Sequence, residues 1–380
     1  MSEATPLGLY IHWPYCARIC PYCDFNVVRA RGRTDEELAL VAAIEADLAA
    51  QASLMGPRTL VSIFFGGGTP SLMRPEWVAR LIEVARRLWP GDGPVEVSLE
   101  ANPTDAEADR FAGFRDAGVE RLSLGVQALN GEHLAFLGRQ HDAAETRRAI
   151  GVAAATFPRL SLDLIYALPE QTMEAWRDTL AETAASGAEH LSPYQLTIEQ
   201  GTAFDRAVRR GRFLPAGDEH GAALYEATQE TLEGFGYAAY EVSNHARGEA
   251  ARARHNLVYW RGEDYVGVGP GAHGRLTGAN GVRLATEAEP NIGRYIQAVN
   301  TGGSGHVASE MSATDRAEER ILMGLRTLEG VALDQLTALP LTRLPELIES
   351  GHVRFTHGRI VATPAGRLVL DHVTRRLILG

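Results

Sequence analysis

Short runs of apolar and β-branched residues alternate with longer amphipathic stretches through the first two thirds of the chain. "LGLYIHW" (7–13), "TLVSIFF" (59–65), "VEVSLE" (95–100), "ERLSLGVQ" (120–127), "RLSLDLIY" (159–166) and "HLSPYQL" (190–196) have the length and composition of strands. Between them, stretches such as "TDEELALVAAIEADLAAQ", "RPEWVARLIEVARRLW", "DAEADRFAGFRDAG" and "TMEAWRDTLAETAASG" space apolar residues three and four apart. They begin on cap-like polar residues and often stop at Gly or Pro, as helices do. Six strand–helix repeats predict an α/β fold with a parallel sheet or partial barrel, ending near residue 235.

The pattern changes twice after that. Residues 241–305 are rich in Gly, Asn and Arg with frequent aromatics, and read as an irregular excursion instead of a flexible linker. Beyond them, "SATDRAEERILMGLRTLEG" and "LTRLPELIES" read as helices, "GHVRFTHGRIVAT" as two short strands about a His-Gly turn, and "PAGRLVLDHVTRRLIL" as a closing helix. That order predicts a small C-terminal winged-helix-like α+β domain. The expected organisation is therefore three parts: 1–240, 241–305 and 306–380.

Composition narrows the function classes. At 380 residues and 45% hydrophobic, the chain can bury a sizeable core. Its net charge of -11, with both signs mixed throughout, announces neither nucleic acid nor an anionic membrane, and the acidic balance argues against DNA binding by the winged-helix pattern. The opening "MSEATPLGLYIHW" has no basic segment followed by an apolar stretch and a small-residue cleavage site, so the expected location is the cytoplasm. An odd cysteine count in a reducing compartment argues against a disulfide framework.

All three cysteines, Cys16, Cys20 and Cys23, lie in one loop after the first expected strand, spaced C-x3-C-x2-C. Three thiolates on one tight loop can ligate three irons of a [4Fe-4S] cluster and leave the fourth iron open. Zinc is the alternative, with His12 as fourth ligand, but structural zinc sites favour paired C-x2-C knuckles. Three inert thiols would be the blandest account, and Arg18, Pro21 and Asn26 in the loop argue against it. Other candidate segments also follow strands, where parallel sheets collect chemistry: "GGGTPS" (66–71), Glu100 before "ANPT", Gln127, and "YQLTIEQGT"; Asp163 lies within the fifth strand. Each has an ordinary alternative. On that account the glycines form only a tight turn, Glu100 and Arg139 a solvated ion pair, and Asp163 a helix cap.

The cysteine loop, with Tyr22 before its last cysteine, resembles that of the radical S-adenosylmethionine (SAM) superfamily. "LYIHWPYC", "FFGGGTPS", "SLEANPT", "RLSLGVQ", "LGRQH" and "DLIYALPEQT" resemble successive signatures of its coproporphyrinogen dehydrogenase subgroup, covering most of residues 7–200. The resemblance implies a partial (β/α)6 barrel binding SAM through the open iron. By that resemblance Cys16, Cys20 and Cys23 would hold the cluster, with Tyr10 beside it. Gly67, Gly68 and Thr69, with Gly66, would let backbone approach the methionine ammonium, and Glu100 would pair with that ammonium. Arg139 would pair with the carboxylate, and Gln127 and Asp163 would meet the ribose hydroxyls.

The subgroup divides at position 25. The porphyrinogen dehydrogenases carry a fourth cysteine where this chain has Phe25, and "CPYCDFN" is similar instead to heme chaperones of the HemW type. "RHNLVYW" (254–260) resembles their heme-binding signature. It would supply His255 as axial iron ligand and Tyr259 and Trp260 as flat surfaces for the macrocycle, although a histidine beside two aromatics is by itself more often a satisfied, partly buried one. "GVGPGAHG" (267–274) contains dinucleotide-like glycines, but it lacks the strand–helix context and reads as a loop. The implied function is heme chaperoning with a [4Fe-4S] cluster, SAM and heme, delivering heme to acceptor proteins, with membrane-associated respiratory proteins as candidates. The alternatives are an oxygen-independent coproporphyrinogen III dehydrogenase and an iron–sulfur redox sensor.

Overall fold

The computed structural model of the protein describes residues 5–379. The leader expectation above rests in part on residues 1–4, which lie outside this range. Six strands pair in parallel, each with the next in chain order: β1 (Thr5–Trp13), β2 (Arg58–Gly67), β3 (Glu96–Ala101), β4 (Arg121–Gln127), β5 (Arg159–Tyr166) and β6 (His190–Gln195). The α/β reading of the sequence is met.

Side-chain alternation divides the sheet into two unlike faces. Leu9 and Ile11 of β1, Ile63 and Phe65 of β2, and Leu122 and Leu124 of β4 join one apolar core with Leu40, Ile44, Trp77 and Leu81 of the flanking helices. The residues between them are polar: Ser62 of β2, Glu96 and Ser98 of β3, Arg121 and Ser123 of β4, Ser161 of β5, and His190 and Ser192 of β6 are all buried. A parallel sheet packed by helices on both faces reads as continuous hydrophobic strands, so this alternation marks a polar interior.

The stretch expected to be irregular is regular, and we correct that reading. β7 (Ala238–Glu241) and β8 (Asn244–Ala246) form a hairpin on β6, followed by a helix, Arg254–Arg261. β9 (Asp264–Val268) then lies parallel to β1, on the side away from β2, as a seventh parallel strand. β10 (His273–Thr277), β11 (Arg283–Ala288) and β12 (His306–Glu310) extend it antiparallel. The glycines that suggested a loop are steric requirements. A Cβ on Gly267, inside β9, would lie 1.9 Å from the His273 carbonyl oxygen. Gly267→Ala should therefore destabilise the protein by about 3 kcal/mol or more in urea unfolding, beyond the about 1 kcal/mol of an ordinary substitution.

The C-terminal elements follow the expected order: helix Ala313–Gly324, a short strand Val331–Ala332, helix Leu344–Glu349, and a hairpin of Val353–Thr356 with Arg359–Ala362. His357 and Gly358 at its tip take φ of 49° and 74°, the left-handed pair that a two-residue hairpin turn needs. The closing helix is broken into Pro364–Leu368 and Leu370–Leu379, with Gly366 pressed against the His352 carbonyl, where a Cβ would come within 1.9 Å. These elements enclose their own core, including Ile321, Leu336, Val353, Ile360 and Leu377. Among the described residues, no helix is long and apolar enough to cross a membrane.

Candidate cofactor site

The cysteine loop leaves the C-terminal end of β1 and is held by backbone pairing on both flanks. Gly68 and Thr69 donate N–H groups to the carbonyls of Trp13 and Tyr15, each at 2.8 Å, and Val28 and Ala30 donate to Pro14 and Cys16, also at 2.8 Å. Gly68 fits this seam because a Cβ there would sit 2.7–2.9 Å from backbone atoms of Trp13, Pro14 and Tyr15. Gly67, at φ 109°, lies flat on the His12 ring, which a Cβ would approach to 2.5 Å. The glycines thus seat the loop, a structural duty that the sequence reading did not assign them.

"GVGPGAHG" braces the same loop from the other side. Asn26 donates to the carbonyls of Pro270 at 2.8 Å and Pro290 at 2.9 Å, and a Cβ on Gly269 would strike the His12 carbonyl oxygen. His12 is buried with both ring nitrogens engaged, by Tyr10 Oη at 3.0 Å and by the Asn26 carbonyl at 2.8 Å. It therefore has no nitrogen to offer a zinc ion in this arrangement.

The three thiols are free. Burial pushes Cys16 up to about 11 and raises Cys23 as well, so metal binding there releases protons. Among the described residues, no three His, Cys, Asp or Glu side chains converge on a point that could hold one metal ion. Three thiols on one loop can each bind one iron of a cubane, while both His12 nitrogens are engaged and cannot complete a zinc site, so the donor set fits a [4Fe-4S] cluster better than zinc.

Arg139 reaches the loop from beyond β4. Its guanidinium donates to Cys20 Sγ at 3.2 Å, Asn102 Oδ1 at 2.5 Å and the Gly125 carbonyl at 3.1 Å. It is not a solvated partner of Glu100. Asn102 and Glu107, which sequence reasoning passed over, form the frame behind it. Glu107 is buried and accepts from the Asn102 backbone N–H at 2.8 Å and from Ser71 Oγ, while Asn102 Nδ2 reaches Thr69 Oγ1 at 3.4 Å. The motif "ANPT" already pointed at Asn102; Glu107 lies three residues past it with no signal of its own.

Two carboxylates face the interior. Glu100 accepts from the Gly67 N–H at 3.2 Å, and Asp163 accepts from Ser123 Oγ at 3.0 Å. Asp163 points at this serine and caps no helix. Burial first, and the neighbouring Asp163 charge second, push Glu100 up to about 8. Burial likewise raises Asp163, with Arg121 and the serines opposing. A cationic ligand would restore both to their ionised forms. Gln127 closes β4 at φ 65°, where the pairing with β5 slips register, a strained turn that aims its amide toward Gly125.

"HNLVYW" forms the helix Arg254–Arg261. His255 is buried, and its ring nitrogens meet Ser62 Oγ at 2.9 Å and Tyr259 Oη at 2.7 Å. Trp260 turns instead to the C-terminal elements, beneath the Arg326 guanidinium at 4.9 Å. The structure thus keeps His255 and Tyr259 together, separates Trp260 from them, and leaves no imidazole nitrogen open in this arrangement.

The radical SAM superfamily model matches residues 10–182, and the HemN C-terminal domain model matches residues 311–369. The solved structure of coproporphyrinogen III oxidase (HemN) from Escherichia coli, a radical SAM enzyme, superposes with a TM-score of 0.81 over 98% of this chain and 90% of that one. At 22% identity, that is a likeness of fold. The fold and the cysteine loop define a radical SAM protein. The heme chaperone HemW of Mycobacterium tuberculosis is 36% identical over 98% of this chain and 95% of its own length, and HemW of Escherichia coli is 36% identical over 87% and 85%. A mitochondrial radical S-adenosyl methionine domain-containing protein 1 from Bos taurus is 37% identical over 98% and 87%. Within the superfamily, the chain belongs to the family of HemW-type heme chaperones.

Proposed function

We propose that this protein is a cytoplasmic heme chaperone that carries a [4Fe-4S] cluster and SAM at the ends of its parallel strands and delivers heme to acceptor proteins. The observation that carries the cofactor part is the gathering, at the ends of the parallel strands, of three free thiols, Arg139 on Cys20, and two carboxylates that burial holds above their usual range. Cys16, Cys20 and Cys23 hold the cluster, beside Tyr10 and Thr69. A cluster so held supplies an open iron and one-electron chemistry. Glu100 takes the ammonium of SAM, Arg139 its carboxylate, and Gln127 and Asp163 its ribose. Support for heme as cargo comes from the names of the relatives, and Phe25, 61% exposed, stands where the porphyrinogen dehydrogenases have a fourth cysteine.

Anaerobic reconstitution followed by heme titration and a coproporphyrinogen III turnover assay on one sample tests this reading. We expect a Soret band that saturates near one heme per chain, and no turnover. Robust turnover without heme retention would replace it with the dehydrogenase alternative.

A further inference from the structure

The helix Arg254–Arg261 lies on the polar face of the sheet. Its first N–H groups are capped by the buried Glu96 carboxylate of β3: Arg254 donates to it at 3.1 Å and His255 at 3.3 Å. Gly8 of β1 faces it, and a Cβ there would come within 3.1 Å of Val258 and 3.5 Å of the His255 ring. His255 is thereby fixed against the strands that lead to the cysteine loop and the glycine seam.

Its surroundings account for every feature of the ring. Phe64 of β2 stacks on it at 4.9 Å with 17° between planes, Tyr10 lies near-parallel at 6.4 Å, and Tyr259 meets it edge-on at 4.7 Å. A neutral imidazole has one donor and one acceptor nitrogen, and Ser62 and Tyr259 use both. Burial keeps the ring neutral, pushed down to about 3. An iron ligand needs a bare nitrogen lone pair. Exposing one breaks a buried hydrogen bond and the Phe64 stack, and strands Ser62 or Tyr259 without a partner.

The same clamp fixes groups on the other side. Tyr259 has Tyr10 and Glu100 among its electrostatic neighbours and is locked edge-on against Tyr265 at 4.5 Å. Tyr10 in turn holds His12 at 3.0 Å, one strand position from the cysteine loop. From Ser62 through His255 and Tyr259, a run of packed side chains therefore reaches the residues assigned to the cluster and to SAM.

We infer that His255 is a positioning residue of the SAM pocket: clamped by Ser62 and Tyr259 and stacked on Phe64, it sets the Tyr10 and Tyr259 rings near Glu100, and it does not ligate heme iron. This rests on the reading of that pocket as a SAM site. It gives the "HNLVYW" histidine a duty that needs no movement of the helix.

Two measurements on the full-length, reconstituted protein separate the roles: heme titration by Soret absorbance, and the change that SAM produces in the electron paramagnetic resonance spectrum of the reduced cluster. His255→Gln, which can still reach Tyr259, should bind heme within about twofold of wild type with an unshifted Soret band. His255→Ala and Tyr259→Phe should each need about tenfold more SAM for the half-maximal spectral change, the loss of one buried hydrogen bond, and His255→Gln should recover most of it. Iron content and far-ultraviolet circular dichroism verify that each variant is folded and loaded. A displaced or missing Soret band in folded, cluster-loaded His255→Gln overturns the inference, as does an unchanged SAM response in His255→Ala. A wild-type protein indifferent to SAM would instead strike the SAM reading, with the Soret arm still deciding whether His255 binds iron.

Discussion

Cys20→Ala, like Cys16→Ala and Cys23→Ala, should leave the anaerobically reconstituted protein with less than about a tenth of the wild-type iron and charge-transfer absorbance. The chain has three cysteines, all in this loop, and a three-ligand cluster has none to spare. The nearest histidine cannot substitute, because His12 already spends both nitrogens on Tyr10 and Asn26. The variants should nevertheless fold. The loop is anchored by the Gly68, Thr69, Val28 and Ala30 backbone bonds and by Asn26, none of which involves a thiol, so apo-protein melting should move by about 1 kcal/mol or less for the partly exposed Cys20 and Cys23. Cys16 is 7% exposed, and its alanine variant should cost somewhat more. Full iron loading in any of the three, or stoichiometric zinc without iron in the native protein, would sink the assignment.

The three cysteines and the histidine differ in how much of their surroundings the local sequence carries. Thiols at fixed spacing on one loop constrain each other through the chain itself, so C-x3-C-x2-C carries its geometry with it. The placement of Glu100 and Gln127 at strand ends follows for a related reason: a parallel sheet delivers the ends of its strands to one edge, wherever they lie in sequence. His255 had no such support, since its environment is built from Ser62, Phe64 and Glu96, 159 to 193 residues away in the chain. No local pattern announces a stack on a distant strand.

The misread excursion has a different cause. β9 has the alternation of a strand, but Gly267 interrupts its apolar run and Gly269 follows directly after it, and glycine by itself signals a turn. Both are demanded by backbone approaching within 1.9 and 2.3 Å of where a Cβ would be, from His273 and from His12. Glycine selected for close approach and glycine selected for a turn look the same in one sequence. The polar face, by contrast, is carried by the strand pattern itself: Ser98 and Glu100 in "VEVSLE", and Ser161 and Asp163 in "RLSLDLIY", alternate with Val and Leu as an interior that must hold something polar requires.

Glu100→Gln should weaken SAM binding by about ten- to a hundredfold while making the SAM-free protein more stable above neutral pH. The two effects share one cause. Glu100 is held up to about 8 in the folded protein by burial and by Asp163, against a usual 4.5, with Arg121 only partly opposing. Between those values the folded state keeps a proton that the unfolded chain releases, so this group's contribution to stability is full below about 4.5 and is lost as pH rises through about 8. Glutamine carries no charge to bury and removes that loss, a gain of about 1–3 kcal/mol at pH 8.5 in denaturant unfolding. The other groups facing this carboxylate are Asp163, Arg121, Tyr10, Tyr259 and Cys23. Asp163, raised in the same way, keeps part of the slope in the variant, while Arg121 opposes it in both. SAM inverts the balance: its ammonium favours the ionised carboxylate, so binding near neutral pH expels a proton, and wild-type affinity should climb as pH rises from about 6 toward 8. Calorimetry in two buffers of different ionisation enthalpy reads that proton directly. If the wild-type protein takes up SAM with no proton released near pH 7, or Glu100→Gln keeps wild-type affinity and slope, Glu100 is not the partner of the ammonium.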